Sequence, residues 1–264
     1  MKYLFANLQK LKREILNSAS YLIMLDFDGT LSPIVSSPNR SLINKTAKRI
    51  LKALANKKNV SLAIISGRSL QDLKNKVGIK KITYAGNHGM EWEIQKKQTT
   101  APVPSNYRKI VPILKKQLAE FCHQYKGTFL EDKGIALTLH YRRLNPKQQK
   151  IFREKALAII KPYLNKKTLK LSEGKKVLDI TPQSKWNKGK FALYLKNLLF
   201  KNKNNQCVVY IGDDTTDEDV FRVLPRGITI RVGKKNNSSA KYFLKNVTEV
   251  SQLLTQLNDT ITPN

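Results

Sequence analysis

Tyr21-Leu22-Ile23-Met24-Leu25-Asp26-Phe27-Asp28-Gly29-Thr30 is the stretch on which the reading of this chain turns. Five apolar residues in an unbroken run predict a short buried strand. Two carboxylates follow it directly, and open α/β sheets bind their ligands at the carboxyl ends of strands. Strand side chains alternate, so Asp26 and Asp28 face the same crevice. Carboxylates that close repel each other unless a cation or a shared proton separates them. A hard divalent ion with oxygen ligands, magnesium being the usual one beside phosphates, resolves the conflict. An isolated Asp-x-Asp is as readily a turn that happens to hold two aspartates, so the decision rests on the rest of the chain.

Working outward, Leu4, Leu8, Leu11 and Ile15 recur at helical spacing before the strand, and Ala47, Ile50, Leu51 and Leu54 do so after it. An apolar strand at 60–65, a helix through Leu70, Leu73 and Val77, and a strand at 82–85 continue the alternation. Strand, helix, strand, helix, strand implies a parallel sheet. The rhythm then changes: helices are expected near 107–124 and 147–164, and strands near 128–131, 135–141, 168–171 and 176–180. Two helix-strand-strand units in succession predict a small α+β insert with a largely antiparallel sheet. Parallel alternation resumes with helices at 188–199, 216–223 and 249–257 and strands at 206–211 and 228–232. The expected organisation is a discontinuous α/β core, residues 1–93 and 181–264, interrupted by a cap at 94–180.

A second acidic group, Gly212-Asp213-Asp214-Thr215-Thr216-Asp217-Glu218-Asp219, again follows an apolar strand and holds five of the chain's 19 acidic residues. Glu218 and Asp219 suit a helix N-terminus, where carboxylates complement the macrodipole. Asp213 and Asp214 lie at a strand end and point to a metal site shared with Asp26 and Asp28. Whether Asp214 or Asp217 meets the metal directly or through water stays open. Ser66-Gly67-Arg68 follows the strand ending at Ile65, where a hydroxyl and backbone N–H groups at a helix start cradle phosphate oxygens; Ser-Gly is equally an ordinary cap signal. Lys188, preceding Gly189 at a helix start, can neutralise a phosphoryl group or orient Asp26.

Taken together, Leu25 to Leu31, Ser66-Gly67-Arg68, Lys188-Gly189 and Gly212-Asp213-Asp214 resemble, in order and context, the four signatures of the haloacid dehalogenase-like phosphatases. The resemblance implies a Rossmann-like core in which Asp26 is the nucleophile, Asp28 the acid/base, Ser66 and Lys188 hold the phosphoryl group, and the late aspartates complete a Mg2+ site. Ala85-Gly86-Asn87-His88-Gly89-Met90-Glu91, Glu131-Asp132-Lys133-Gly134, His140-Tyr141-Arg142 and Glu173-Gly174-Lys175 are similar to the trehalose-phosphatase branch, over roughly 21–254. That branch implies an αββαββ cap of the C2 type and hydrolysis of trehalose 6-phosphate in trehalose biosynthesis. A trehalose-6-phosphate synthase is then the pathway neighbour. Gly67, Arg68, Asn87 and His88 become substrate-binding candidates in the core, and Lys133, Arg142, Glu173 and Lys175 in the cap. One departure is Thr181, where the branch commonly carries a basic residue before the proline.

The chain has 264 residues and a formal net charge of +30, from 49 basic and 19 acidic residues. Such a field draws any polyanion as well as phosphorylated metabolites. The lysines are spread through every segment without a stripe of interleaved aromatics, so no specific nucleic-acid partner is expected. Two cysteines far apart, Cys122 and Cys207, read as reduced thiols and hence a cytoplasmic protein. No run of eighteen apolar residues predicts a membrane span. Two rival readings are a sister phosphatase for another sugar phosphate such as sucrose 6-phosphate, and a basic nucleic-acid-binding protein on an inactive phosphatase fold.

Overall fold

The computed structural model describes residues 1–35, 40–164, 167–174, 176–201 and 205–262. It divides into two compact units, Met1–Thr100 with Trp186–Asn264, and Ala101–Lys185.

The first unit is built on one sheet. Its strands in chain order are β1 (Lys2–Tyr3), β2 (Ser20–Leu25), β3 (Val60–Ile65), β4 (Thr83–Gly86), β5 (Glu91–Ile94) and β6 (Lys97–Thr100), then, after the second unit, β11 (Gln206–Gly212), β12 (Ile228–Val232) and β13 (Tyr242–Leu244). They lie in the order β1-β13-β12-β11-β2-β3-β4-β5-β6. The ladder is parallel from β1 to β4, and β5 and β6 add an antiparallel hairpin at one edge. Central β2 is buried on both faces, as its unbroken apolar run requires. Its residues Tyr21, Ile23 and Leu25 share a core with helices α1 (Leu8–Leu16), α2 (Lys45–Ala55), α3 (Leu70–Val77) and α8 (Val247–Thr260). Helices α6 (Lys188–Phe200) and α7 (Glu218–Val223) pack against each other, and Phe221 of α7 meets Tyr210 of β11 edge-on at 5.8 Å. Gly189 permits that approach, since a Cβ there would stand 2.4 Å from the carbonyl oxygen of Asp219.

Register sets the site. Leu25 pairs with Ile64 on one side and Ile211 on the other, so these three neighbouring strands end level and deliver Asp26, Ser66 and Asp213 to the same edge. The Asp26 N–H extends the ladder by donating to the Ile211 carbonyl at 2.9 Å, and the Ser66 N–H donates to Ala85 at 2.9 Å.

Four strands lie outside the expected set. β1 and β13 are two and three residues long, too short to show a period. The β5–β6 hairpin moves the core boundary beyond the expected residue 93. Its turn residues, Gln95 and Lys96, have φ of 50° and 68°, the two positive values that a type I′ turn needs, without the usual Asn-Gly signature. At the return end, β10 stays with the second unit, whose last residue is Lys185. Trp186 then stacks on Trp92 of β5 at 5.5 Å and 16° and donates its indole N–H to the Gly89 carbonyl.

The second unit holds β7 (Phe129–Asp132), β8 (Leu137–His140), β9 (Leu169–Gly174) and β10 (Val177–Pro182) as an antiparallel sheet in the order β7-β8-β10-β9, with α4 (Tyr107–His123) and α5 (Pro146–Leu164). Leu137 and Leu139 of β8 and Leu178 and Ile180 of β10 are buried, and Phe121 of α4 stacks on Phe152 of α5 at 4.8 Å. The succession helix-strand-strand-helix-strand-strand is the αββαββ pattern. Cys122 here and Cys207 in the first unit are both free and buried. Among the described residues no helix is long and apolar enough to cross a membrane.

Candidate active site

Asp26 is 4% exposed at the end of β2, and burial, together with the charges of Asp217 and Asp213, drives its carboxyl well above the ordinary range against the pull of Lys188. Lys188 is the first residue of α6, a helix fixed by Asn187, whose side chain accepts the Lys190 N–H at 2.9 Å and donates to Asp219 at 2.9 Å. The Lys188 ammonium, fully buried, donates to Oδ1 of Asp26 and to Oδ1 of Asp217, each at 2.8 Å. Burial opposes its charge, but the two carboxylates raise its pKa far above the usual lysine value. A buried lysine flanked by two carboxylates stays an ammonium.

The acidic turn after β11 is organised by its own backbone. Oδ2 of Asp217 accepts the N–H groups of Asp213 and Asp214 at 2.8 and 2.9 Å, and Tyr210 donates its hydroxyl to Oδ1 at 2.6 Å. Gly212 allows the carboxylate to fold back this closely, since a Cβ there would sit 2.4 Å from Oδ2 of Asp217. Asp214 accepts the N–H and hydroxyl of Thr216, each at 2.7 Å, and the N–H of Asp217 at 3.2 Å. Burial resists its charge, yet Lys188 and these donors hold its carboxyl below the ordinary value.

Carboxylate oxygens of Asp26, Asp213 and Asp217 lie within 4.8 Å of one another. Oδ1 of Asp213 is buried and without a hydrogen-bond partner among the described residues. Burial, then the charges of Asp217 and Asp214, lift the Asp213 carboxyl to about 6. Several carboxylates against one ammonium, with an orphaned oxygen among them, fit a hard divalent cation. Asp217, left open by the sequence, lies within this acidic group, whereas Asp214 spends one oxygen on its own turn.

Asp28 stands apart from that group. Arg68 grips it with two parallel bonds, Nε to Oδ2 and Nη2 to Oδ1, both 2.7 Å, and Ser41 donates to Oδ1 at 2.9 Å. Arg68 also reaches Asp72 at 2.7 Å and lies over the Phe27 ring at 5.3 Å. Ser66 is 1% exposed, and its Oγ accepts the Arg68 N–H at 3.2 Å; α3 itself starts later, capped by Ser69. Asn87 is buried and donates to Glu91 at 2.7 Å, while exposed His88 covers Gly67, where a Cβ would meet its ring at 2.7 Å. Glu218 has a role beyond the helix dipole, being paired with Arg231 at 3.0 Å.

In the second unit, Glu173 accepts two bonds from Arg153 at 3.0 and 2.7 Å, and Lys133 stands 4.0 Å from Glu131 and 3.9 Å from Asp179. Arg142 is exposed. Lys175 lies outside the described residues. Two participants escaped the sequence reading: Ser41, which sits in an irregular segment, and Tyr210, hidden inside an apolar strand. Only the position of Tyr210, two residues before Gly212, hints at its contact with the acidic turn.

Residues 24–248 match the trehalose-phosphatase family model. Trehalose-phosphate phosphatase B of Arabidopsis thaliana is 33% identical over 92% of this chain and 68% of its own length, and probable trehalose-phosphate phosphatase 4 of Oryza sativa is 34% identical over 89% and 65%. The chain therefore spans about two thirds of these plant relatives. In fold it resembles the C-terminal domain of the Candida albicans trehalose-6-phosphate phosphatase, with a TM-score of 0.74, 24% identity and 97% coverage of both chains. The match runs from the last residues of β2 through the acidic turn and past β13, and on it the chain belongs to the trehalose-phosphatase family.

Proposed function

We propose that this protein hydrolyses trehalose 6-phosphate to trehalose and phosphate through a phospho-aspartate on Asp26. Family membership supports the substrate, and the observation that carries the chemistry is the buried Lys188 bridge between Asp26 and Asp217. Lys188 holds Oδ1 of Asp26, which leaves Oδ2 as the attacking atom. As Oδ2 bonds to phosphorus, the bond from phosphorus to the sugar oxygen breaks, and the departing oxygen takes a proton from Asp28. Water then attacks the aspartyl phosphate, gives its proton to Asp28, and phosphate leaves with Asp26 restored as a carboxylate. A phosphoryl group is a competing partner for the Arg68 guanidinium, and its binding there would loosen the hold of Arg68 on Asp28 and ease this proton exchange.

Asp26 and Asp213 would hold the magnesium ion, which supplies charge neutralisation for the phosphoryl oxygens when bound. Lys188 and the Ser66 hydroxyl contribute the chain's own electrostatic stabilisation there. Selectivity for the sugar is assigned to residues of the second unit, with Lys133, Arg142, Glu173 and Lys175 as its candidates. Glu173 must then exchange Arg153 for sugar hydroxyls, an exposed pair that costs little to open.

Phosphate release from a panel of sugar phosphates, with magnesium and with chelator, tests this reading. Metal-dependent preference for trehalose 6-phosphate is expected. Preference for sucrose 6-phosphate would keep the chemistry and overturn the substrate, and inactivity on every member of the panel would overturn both.

A further inference from the structure

Asp217 lies within reach of the metal site, yet its four lone-pair directions are already filled. Lys188 and Tyr210 donate to Oδ1 at 2.8 and 2.6 Å, and the N–H groups of Asp213 and Asp214 donate to Oδ2 at 2.8 and 2.9 Å. A carboxylate accepts about four hydrogen bonds. A cation could bind here only by displacing one of these donors. Asp213 is the opposite case, with a buried Oδ1 that no described residue satisfies. The two neighbours divide the work: Asp213 keeps a buried oxygen free of donors, and Asp217 clamps the backbone that carries it.

We infer that Tyr210 is a positioning residue for the reaction, because its buried hydroxyl completes the donor set that keeps Asp217 a clamp and away from the metal. The inference rests on the reading of the cleft as a magnesium-dependent phosphatase site. Tyr210 is fully buried in β11, its ring fixed against Phe221 at 5.8 Å. The hydroxyl is therefore delivered from a rigid strand to one oxygen of one carboxylate. Remove it, and Oδ1 keeps Lys188 alone and turns an empty lone pair toward an apolar ring. The carboxylate is then free to rotate toward a cation, and rotation loosens the two N–H bonds that orient Asp213. Partners of this outer kind typically change metal affinity or activity by about 10- to 100-fold when removed.

Tyr210→Phe deletes the oxygen and keeps the ring. Tyr84→Phe is its control: Tyr84 is likewise buried in a parallel strand, donating to the Ile79 carbonyl at 2.7 Å and accepting the Ile79 N–H at 3.0 Å, remote from the acidic turn. Magnesium affinity is measured by calorimetry on the folded proteins, and kcat and KM by phosphate release. In Tyr210→Phe, magnesium binding should weaken and kcat fall, each by about 10-fold or more, with KM within about threefold. Tyr84→Phe should lose thermal stability and keep both. A wild-type protein that binds magnesium but releases no phosphate would sink the functional reading, while the two magnesium titrations still decide the role of Tyr210. Unchanged magnesium affinity in Tyr210→Phe, an equal loss in Tyr84→Phe, or a Tyr210→Phe chain that fails to fold when Tyr84→Phe folds would each overturn the inference. So would a wild-type protein that binds no magnesium.

Discussion

Gly29 offers a way to displace Asp213 without touching it. Its φ is +83°, and a Cβ added there would stand 2.1 Å from Oδ2 of Asp213, 2.3 Å from Cγ and 2.6 Å from Oδ1. Non-bonded carbon and oxygen atoms need a little over 3 Å, so Gly29→Ala must drive the carboxylate back by about 1 Å or distort the turn that carries Asp28. A misplacement of about 1 Å costs on the order of 100-fold in rate, or about 2.7 kcal/mol of barrier. The left-handed backbone adds about 1 to 2 kcal/mol of strain. Gly233 separates the two effects, because it has a similar positive φ, +80°, and open space around its would-be Cβ. Both alanine variants should lower the melting temperature by a few degrees. Only Gly29→Ala should lose turnover, measured as phosphate release at saturating substrate and magnesium. A Gly29→Ala rate within about threefold of wild type, or an equal loss in Gly233→Ala, would refute a steric push on Asp213.

Other perturbations probe the same network. Asp26→Asn should abolish turnover and leave the fold intact by circular dichroism; an active variant removes Asp26 as nucleophile. Lys188→Met strands Asp26 and Asp217 without their cation, and chemical denaturation should show a loss of about 3 to 5 kcal/mol. The Asp213 carboxyl is raised to about 6, so below that pH a proton competes with magnesium. Calorimetry should find affinity climbing as pH rises through about 6; a flat profile from pH 5 to 7 would refute the assignment. Glu173→Ala opens an exposed pair and should change stability by less than about 1 kcal/mol, while reducing the preference for trehalose 6-phosphate over smaller sugar phosphates, and unchanged kinetics would take Glu173 out of the sugar site.

The fold was legible wherever burial forced a long pattern. The apolar run of β2 and the helical spacing of α2 matched the elements that formed, and the change of rhythm after residue 93 marked the insert. What stayed hidden depended on partners far away in sequence. β1 becomes a strand only because Tyr242 and Phe243 lie beside it, and the β5–β6 turn adopts positive φ at Gln95 and Lys96 without a glycine to announce it. At the site, the chain positions of Asp26, Lys188 and Asp213 were readable, but the distribution of donors among the aspartates was not. That Arg68 closes on Asp28, and that Asp217 takes four donors, follows from side-chain geometry that spacing does not encode.

The stacking of Trp92 on Trp186 has an optical consequence. These are the chain's two tryptophans, and both belong to the first unit. Intrinsic emission excited near the indole band therefore arises from a single coupled chromophore pair seated at the point where the chain re-enters the core. It will register melting of the core and stay silent while the inserted unit unfolds alone. An unfolding curve followed by that signal will look cooperative whatever the insert does, and only the far-ultraviolet dichroism, or a fluorophore placed in the insert, will show whether the two units melt together.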